Sequence, residues 1–302
     1  MENTTDLTRR NYTRQQSVII NARYALTQNE IDIVLVLLTA IHKDDKDFKD
    51  YEFTMQDLEF KTGRRWDSSQ LKATVKGLMS KPLELPLSDD GKDWTIVNWF
   101  SMFEYKKGLI TCRFDKRLKP YLVDIQGRMI LGDVRHLLPM KSSYSKRVYL
   151  LLKEYSKFGV RKFKAEELMD ILKVPKSLKG YGQFKQKVLQ RAEQDINKYT
   201  DLKVSFDEKK IHRKVTEITF HIKKNDEDLK TFISIIRELY PNQPLYPAKD
   251  GRMLKCSTKG LLYYVDDANN HPTLDKETAM RAWKWLHENR ERLECFKPDL
   301  FS

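Results

Sequence analysis

Between Ile31 and Ile41 the chain is apolar at nearly every position, broken only by Asp32 and Thr39. A run of that length, apolar on all sides, predicts a buried central helix rather than a surface one. Thr27 precedes it with Glu30 three residues on, the spacing of a capping box. After a charged loop over Lys43–Lys49, Thr54 predicts the cap of a short helix, Met55–Lys61, which Gly63 ends. Asp67 or Ser68 opens a third helix that runs to about Ser80, where Pro82 stops it. Leu71, Val75, Leu78 and Met79 form its core stripe. The period then changes to two. Trp94–Tyr105 and Leu109–Phe114 read as strands joined at Lys106-Lys107-Gly108, a hairpin signal. Ile110, Cys112 and Phe114 alternate onto one face, which makes Cys112 a small core residue.

The same order follows a second time. Tyr144, Val148, Leu151, Leu152 and Tyr155 fall at helical spacing, so Ser143–Lys157 is expected to be an amphipathic helix. A short strand (Arg161–Lys164), a short helix (Ala165–Leu172) and a long helix (Gln183–Tyr199) come next. Two strands close the pattern, alternating at Leu202, Val204 and Phe206 and at Ile218, Phe220 and Ile222, around a charged turn over Asp207–Lys214. Helix, short helix, long helix and two-stranded hairpin is the order of a winged helix. The expected fold is therefore α+β, with two tandem winged helices and a small C-terminal α+β appendage. The expected divisions are a flexible basic arm (1–16), a first winged helix (17–130), a second (131–225) and the appendage (226–302). In the appendage Leu229, Phe232, Ile233, Ile236 and Leu239 make one helical stripe. Two short strands, Met253–Cys256 and Leu261–Val265, and a last helix over Asp275–Arg290 follow.

Charge separates the appendage from the rest. The 302 residues carry 56 Lys+Arg against 43 Asp+Glu, a net +13. Residues 226–302 hold 12 basic and 13 acidic side chains, which leaves 44 and 30 in residues 1–225. A basic body with a neutral tail points to a polyanionic partner. The polar N-terminus reads as no signal peptide, and no apolar run approaches the ~20 residues of a membrane span, so a cytoplasmic protein is expected. Three widely spaced cysteines, Cys112, Cys256 and Cys295, offer neither a disulfide framework nor a zinc site.

The long helix of the second repeat carries the candidate chemistry. At 100° per residue, Phe184, Val188, Leu189, Ala192, Ile196 and Tyr199 share one side. Gln183, Gln186, Lys187, Gln190, Gln194 and Asn197 share the other, with Arg191 at the border and Lys185 off the exposed face. Solvated faces usually mix Glu with Lys, whereas this one is rich in amides and poor in acids. Gln and Asn can pair with adenine, and Lys can reach guanine or phosphate. Lys209, Lys210, Arg213 and Lys214 surround the following turn, where a basic hairpin tip can follow phosphates. The first repeat offers a weaker version: Ser69, Lys72 and Lys76 face outward from its third helix, preceded by Arg64 and Arg65. That surface could serve DNA or dimerisation.

Catalytic constellations are missing from the sequence. The six histidines include no i, i+2 pair, and neither HExxH nor GxxxxGK[ST] occurs. Asp45-Lys46-Asp47 lies in a Lys-rich loop without strand context, and His221 shows no sequence partner. No enzyme activity, metal or cofactor is expected.

In order along the chain, Asn21–Thr27, Leu118–Leu122, Ile125–Met129, Ser143–Leu152, Phe184–Asn197, Leu202–Phe206 and Lys214–Phe220 resemble segments of the Rep_3 family of plasmid replication initiators, over roughly residues 11–222. That family tends to place a glycine before the basic pair of the second wing, where Ile211-His212 stand here. The resemblance implies a protein that binds double-stranded DNA at origin iterons as a monomer, helps open AT-rich DNA, and recruits the host replicative helicase and host initiator. As a dimer in equilibrium with that monomer it would repress its own promoter through an operator. It implies base reading at Gln183, Lys185, Gln186, Lys187 and Arg191, with the dimer contact in the first winged helix. The rival readings are a transcriptional repressor alone, or a nuclease or primase with an unrecognised site.

Overall fold

Thr27 and Glu30 do what their spacing predicts: the Glu30 amide donates to Thr27 Oγ1 (3.4 Å) and the Thr27 amide to Glu30 Oε2 (2.7 Å), starting a helix over Gln28–Leu38 that is buried from Glu30 onward. The computed structural model describes residues 12–42, 44–88, 92–125, 129–225, 233, 244–245, 253–256, 262–265 and 274–288. Two units result, 1–224 and 225–302.

The first unit opens with β1 (Tyr12–Gln16), α1 (Ser17–Asn21) and α2 (Gln28–Leu38). Then come β2 (Tyr51–Thr54), α3 (Met55–Thr62), α4 (Ser68–Met79), β3 (Leu83–Pro86), β4 (Trp94–Val97), β5 (Phe100–Lys106) and β6 (Leu109–Phe114). A second capping box, Thr54 with Asp57, starts α3; Gly63 ends it at φ +64°, and Asp67 caps α4. The antiparallel sheet β2-β6-β5 turns at Lys107 and Gly108, both at positive φ, as a two-residue hairpin requires. After α5 (Lys119–Leu122), β7 (Met129–Asp133) and α6 (Val134–Leu137), the second repeat follows. It comprises α7 (Ser143–Lys153), β8 (Val160–Lys164), α8 (Ala165–Ile171), α9 (Tyr181–Phe184), a π-helical turn (Lys185–Gln190), α10 (Arg191–Tyr199), β9 (Leu202–Ile211) and β10 (Lys214–Lys224). Its sheet has the order β8-β10-β9.

Four expectations change. Tyr12–Gln16, assigned to the flexible arm, is a strand that pairs with β7, with Thr13 and Gln15 buried. The 130/131 division therefore falls inside β7. A Cβ on Gly132 would lie 2.8 Å from Thr13 Oγ1, so glycine lets the two strands close. The expected strand Trp94–Tyr105 is two strands: β4 pairs with β3 and β5 with β6. The break inserts Trp99, 1% exposed, edge-on against Tyr24. The helix from Ser143 stops at Lys153, and the chain turns through Gly159 at φ +76° into β8. Finally, the charged turn over 207–214 is mostly strand, and only His212-Arg213 turn.

One continuous apolar core runs through both repeats. Buried charge joins them as well. Lys146 on α7 has no exposed surface and pairs with Asp32 on α2, which Arg64 reaches from the other side (2.9 Å). Burial pushes Asp32 up and Lys146 down, each opposed by the other's charge. Arg147 donates to the carbonyls of Ala22 (2.7 Å) and Tyr24 (3.3 Å) and stacks 3.5 Å from the Tyr24 ring. Arg161 donates to Glu154 (3.0 Å) and Asn21 (2.6 Å). Nearer the surface, Arg23 meets Asp170 (2.5 Å) and Lys173 meets Glu84 (3.4 Å).

In the second unit Pro244–Leu245 (β11), Met253–Cys256 (β12) and Leu262–Val265 (β13) form an antiparallel sheet, and Lys276–Glu288 is a helix. Leu254, Leu262, Trp283 and Leu286 are buried, so Trp283 belongs to a small core. Trp285 is half-buried. Of the stripe expected at Leu229–Leu239 only Ile233, which is helical, lies among the described residues. No described helix is long and apolar enough to cross a membrane.

Candidate nucleic-acid interface

Residues 181–199 form one helical rod whose inner side matches the expected stripe. Phe184, Val188, Leu189, Ala192 and Ile196 are fully buried, and Asp195 lies with them. Gln183, Gln186, Lys187, Gln190, Arg191 and Gln194 are exposed. The π turn was invisible to a uniform helical wheel. Gln186, Lys187 and Gln190 stay on the outer side within it, as the uniform wheel places them, and Arg191 joins them from the border. Arg191 pairs with Asp195 (3.1 Å) without leaving the surface. Asn197 departs from the outward face: its amide donates to the Val204 carbonyl (2.9 Å) and its oxygen accepts from the Val204 amide (2.6 Å), tying α10 to β9.

The wing stands beside this rod. Lys209, Lys210, Arg213 and Lys214 are all exposed. Neighbouring strand residues face opposite ways, and Lys210 is the one of the Lys209-Lys210 pair that lines the cleft between the wing and the helix start. That cleft, about 940 Å³, is also lined by Tyr181, Lys185, Glu208 and Arg213. His212 takes positive φ (+47°) at the first turn position, where glycine is the usual choice. Lys214 meets Glu166 (2.6 Å), whose carboxyl is held below its usual range by that contact. Two expectations need correcting. His221 has a partner, Asp207, at 2.8 Å across the strand pair. Lys185 is half-buried and paired with Glu208 (2.8 Å) rather than presented with the reading face.

The first repeat repeats the arrangement with less polar reach. Leu71, Thr74 and Leu78 are buried, while Ser69, Lys72 and Lys76 are exposed beside an apolar groove floored by Phe103 and Ile110. Arg65 is exposed. Arg64 is engaged inward, bonded to Asp32 and stacked 4.6 Å from the Trp66 ring. Sequence reading missed Lys106 and Lys107, exposed at the tip of the β5–β6 hairpin. Their turn signal had absorbed them, although the second wing's basic tip offered the analogy.

Asp45 accepts from the His42 amide (2.6 Å) and Asp47 lies 3.7 Å from Lys119, so this loop is held by its own neighbours. Among the described residues no group of His, Cys, Asp and Glu could hold a metal ion. Burial pushes the Cys112 thiol far above its ordinary range.

Comparison with known proteins places these features in a family. The family model described as "Initiator Replication protein, WH1" matches residues 12–153, and that described as "Initiator Rep protein, WH2" matches residues 164–222. Two solved structures of RctB domains 2 and 3 are also similar. A selenomethionine derivative is 10% identical with TM-score 0.40, covering 71% of this chain and 91% of that one. A second is 12% identical with TM-score 0.34, covering 69% and 82%. The two family models, matched one after the other over more than half of the chain, show that it belongs to the Rep_3 family of plasmid replication initiators, DNA-binding proteins built on tandem winged helices.

Proposed function

We propose that the protein binds iteron repeats at a plasmid origin as a monomer, promotes opening of adjacent AT-rich DNA, and recruits the host replicative helicase and host initiator. As a dimer joined through its first winged helix it represses its own gene, and it catalyses no reaction. The observation that carries this reading is the run of amide and basic side chains exposed along residues 183–194, with a basic wing at its side. Gln183, Gln186, Lys187, Gln190, Arg191 and Gln194 read base edges in a major groove. Lys209, Lys210, Arg213 and Lys214 hold phosphates, as do Arg65, Ser69, Lys72 and Lys76 from the first repeat.

Footprinting on DNA from beside the gene tests the role. Protection of direct repeats at regular spacing next to an AT-rich stretch is expected. Protection of an inverted repeat alone would mean a repressor without initiator function. Metal-dependent cleavage or primer synthesis would contradict the non-catalytic reading.

A further inference from the structure

Glu208 places a carboxylate inside the cleft that faces the proposed DNA path. It stands on β9 with its side chain 13% exposed, and Lys185 Nζ lies 2.8 Å from its Oε1. The Tyr181 hydroxyl is buried beside it. Burial works to raise the Glu208 carboxyl, but Lys185 and Tyr181, with the charge of Lys210, win and hold it below its usual range. The carboxylate is therefore charged at neutral pH, in a cleft that Lys210 and Arg213 also line.

We propose that Glu208 is a specificity-determining residue. It occupies Lys185 as a built-in substitute for phosphate, so that Lys185 makes no DNA contact. The inference rests on the proposed DNA reading by the second winged helix. Its physical basis is the difference between the two binding modes. A free lysine at the mouth of the cleft would find a phosphate in any register, which strengthens binding to every sequence. It would help the loosely held non-specific complex most, because there the protein can shift to suit it. With Lys185 neutralised, affinity rests on the exposed amide and basic face that reads sequence.

The test uses the full chain, titrated over a salt series against duplex carrying the footprinted repeat and against scrambled duplex. Glu208→Gln keeps the shape of the side chain and frees Lys185. Affinity for scrambled duplex is expected to rise roughly five- to tenfold at about 0.1 M salt, with a slope of log K against log salt steeper by about 0.9. Lys185→Ala alone leaves the Glu208 charge unpaired and is expected to weaken binding to both duplexes, whereas Lys185→Ala with Glu208→Gln removes both charges and is expected to match the unaltered protein in both quantities. Three results would overturn the proposal: no gain for Glu208→Gln, a gain that survives in the double variant, or a double variant that binds more weakly and with a flatter slope than the unaltered protein. The double variant decides the matter even if Glu208→Gln alone fails to fold, because removing a silenced pair leaves binding unchanged and removing a lysine that contacts phosphate does not. Lys187→Ala is the control: if it too leaves repeat binding unchanged, the DNA-reading placement has failed rather than the role of Glu208.

Discussion

A lysine with no exposed surface shows what the residue scale can hide. Lys146 falls in a helix whose apolar spacing is plain, off the apolar stripe that the spacing picks out. The first repeat covers that side of the helix, and Asp32, 114 residues earlier, supplies the counter-charge. No local pattern announces a partner at that separation. Removing one member of such a pair strands the other. Lys146→Met is expected to destabilise the fold by roughly 3 kcal/mol, the low end for a broken buried pair because Arg64 still serves Asp32. Adding Asp32→Asn should recover much of the loss, and additive losses in denaturant unfolding would contradict the coupling. By contrast the outer face at 183–194 was legible, since burial of its apolar side follows from helical spacing alone. Lys187→Ala is expected to lose about 1–3 kcal/mol of discrimination between repeat and scrambled duplex. A uniform loss on both would make Lys187 a phosphate contact.

Capping residues made the elements readable. Thr27, Thr54 and Asp67 each accept the amide expected of an N-cap, and the helices begin where those residues stand. What escaped notice was geometry without a residue signature. The π turn contains neither glycine nor proline. The second wing was read as a charged turn because apolar alternation ends at Phe206 on this strand, where charged residues take both faces. Its length matters, since a ribbon carries Lys209 and Lys210 on opposite sides. Replacing both with Ala is expected to weaken binding to all duplexes alike and to flatten the salt slope by up to about 1.8, two phosphate contacts at about 0.9 each. A loss confined to one sequence would assign one of them to base reading.

At the scale of the whole molecule the two repeats are one folded unit, which their separate element orders did not reveal. The shared core and the ion pairs across it bring together segments far apart in sequence, and β1, read as a loose arm, carries the first repeat past residue 130 by pairing with β7. The surface pairs give this joint a pH signature. Asp170 is partly buried, which opposes ionisation, but Arg23 and Lys173 hold its carboxyl below the usual range. Its folded pKa thus lies under the unfolded value of about 3.9, so its contribution is complete above that value and is lost as pH falls through the folded one. Asp170→Asn is expected to lower the melting temperature at pH 7 and to match the unaltered protein once pH has fallen through the folded pKa of Asp170. A deficit that persisted in acid would trace to packing instead.

The central claim is sequence-specific binding of duplex DNA through the 183–194 face and its wing. The most direct measurement is a titration of the full chain against duplex from beside its own gene, at two salt concentrations, with scrambled competitor. Tight binding that survives competitor, at repeats whose spacing a footprint then gives, is the predicted result. Binding that competitor abolishes, with only a steep salt dependence left, would contradict it and leave a basic surface without a reading helix.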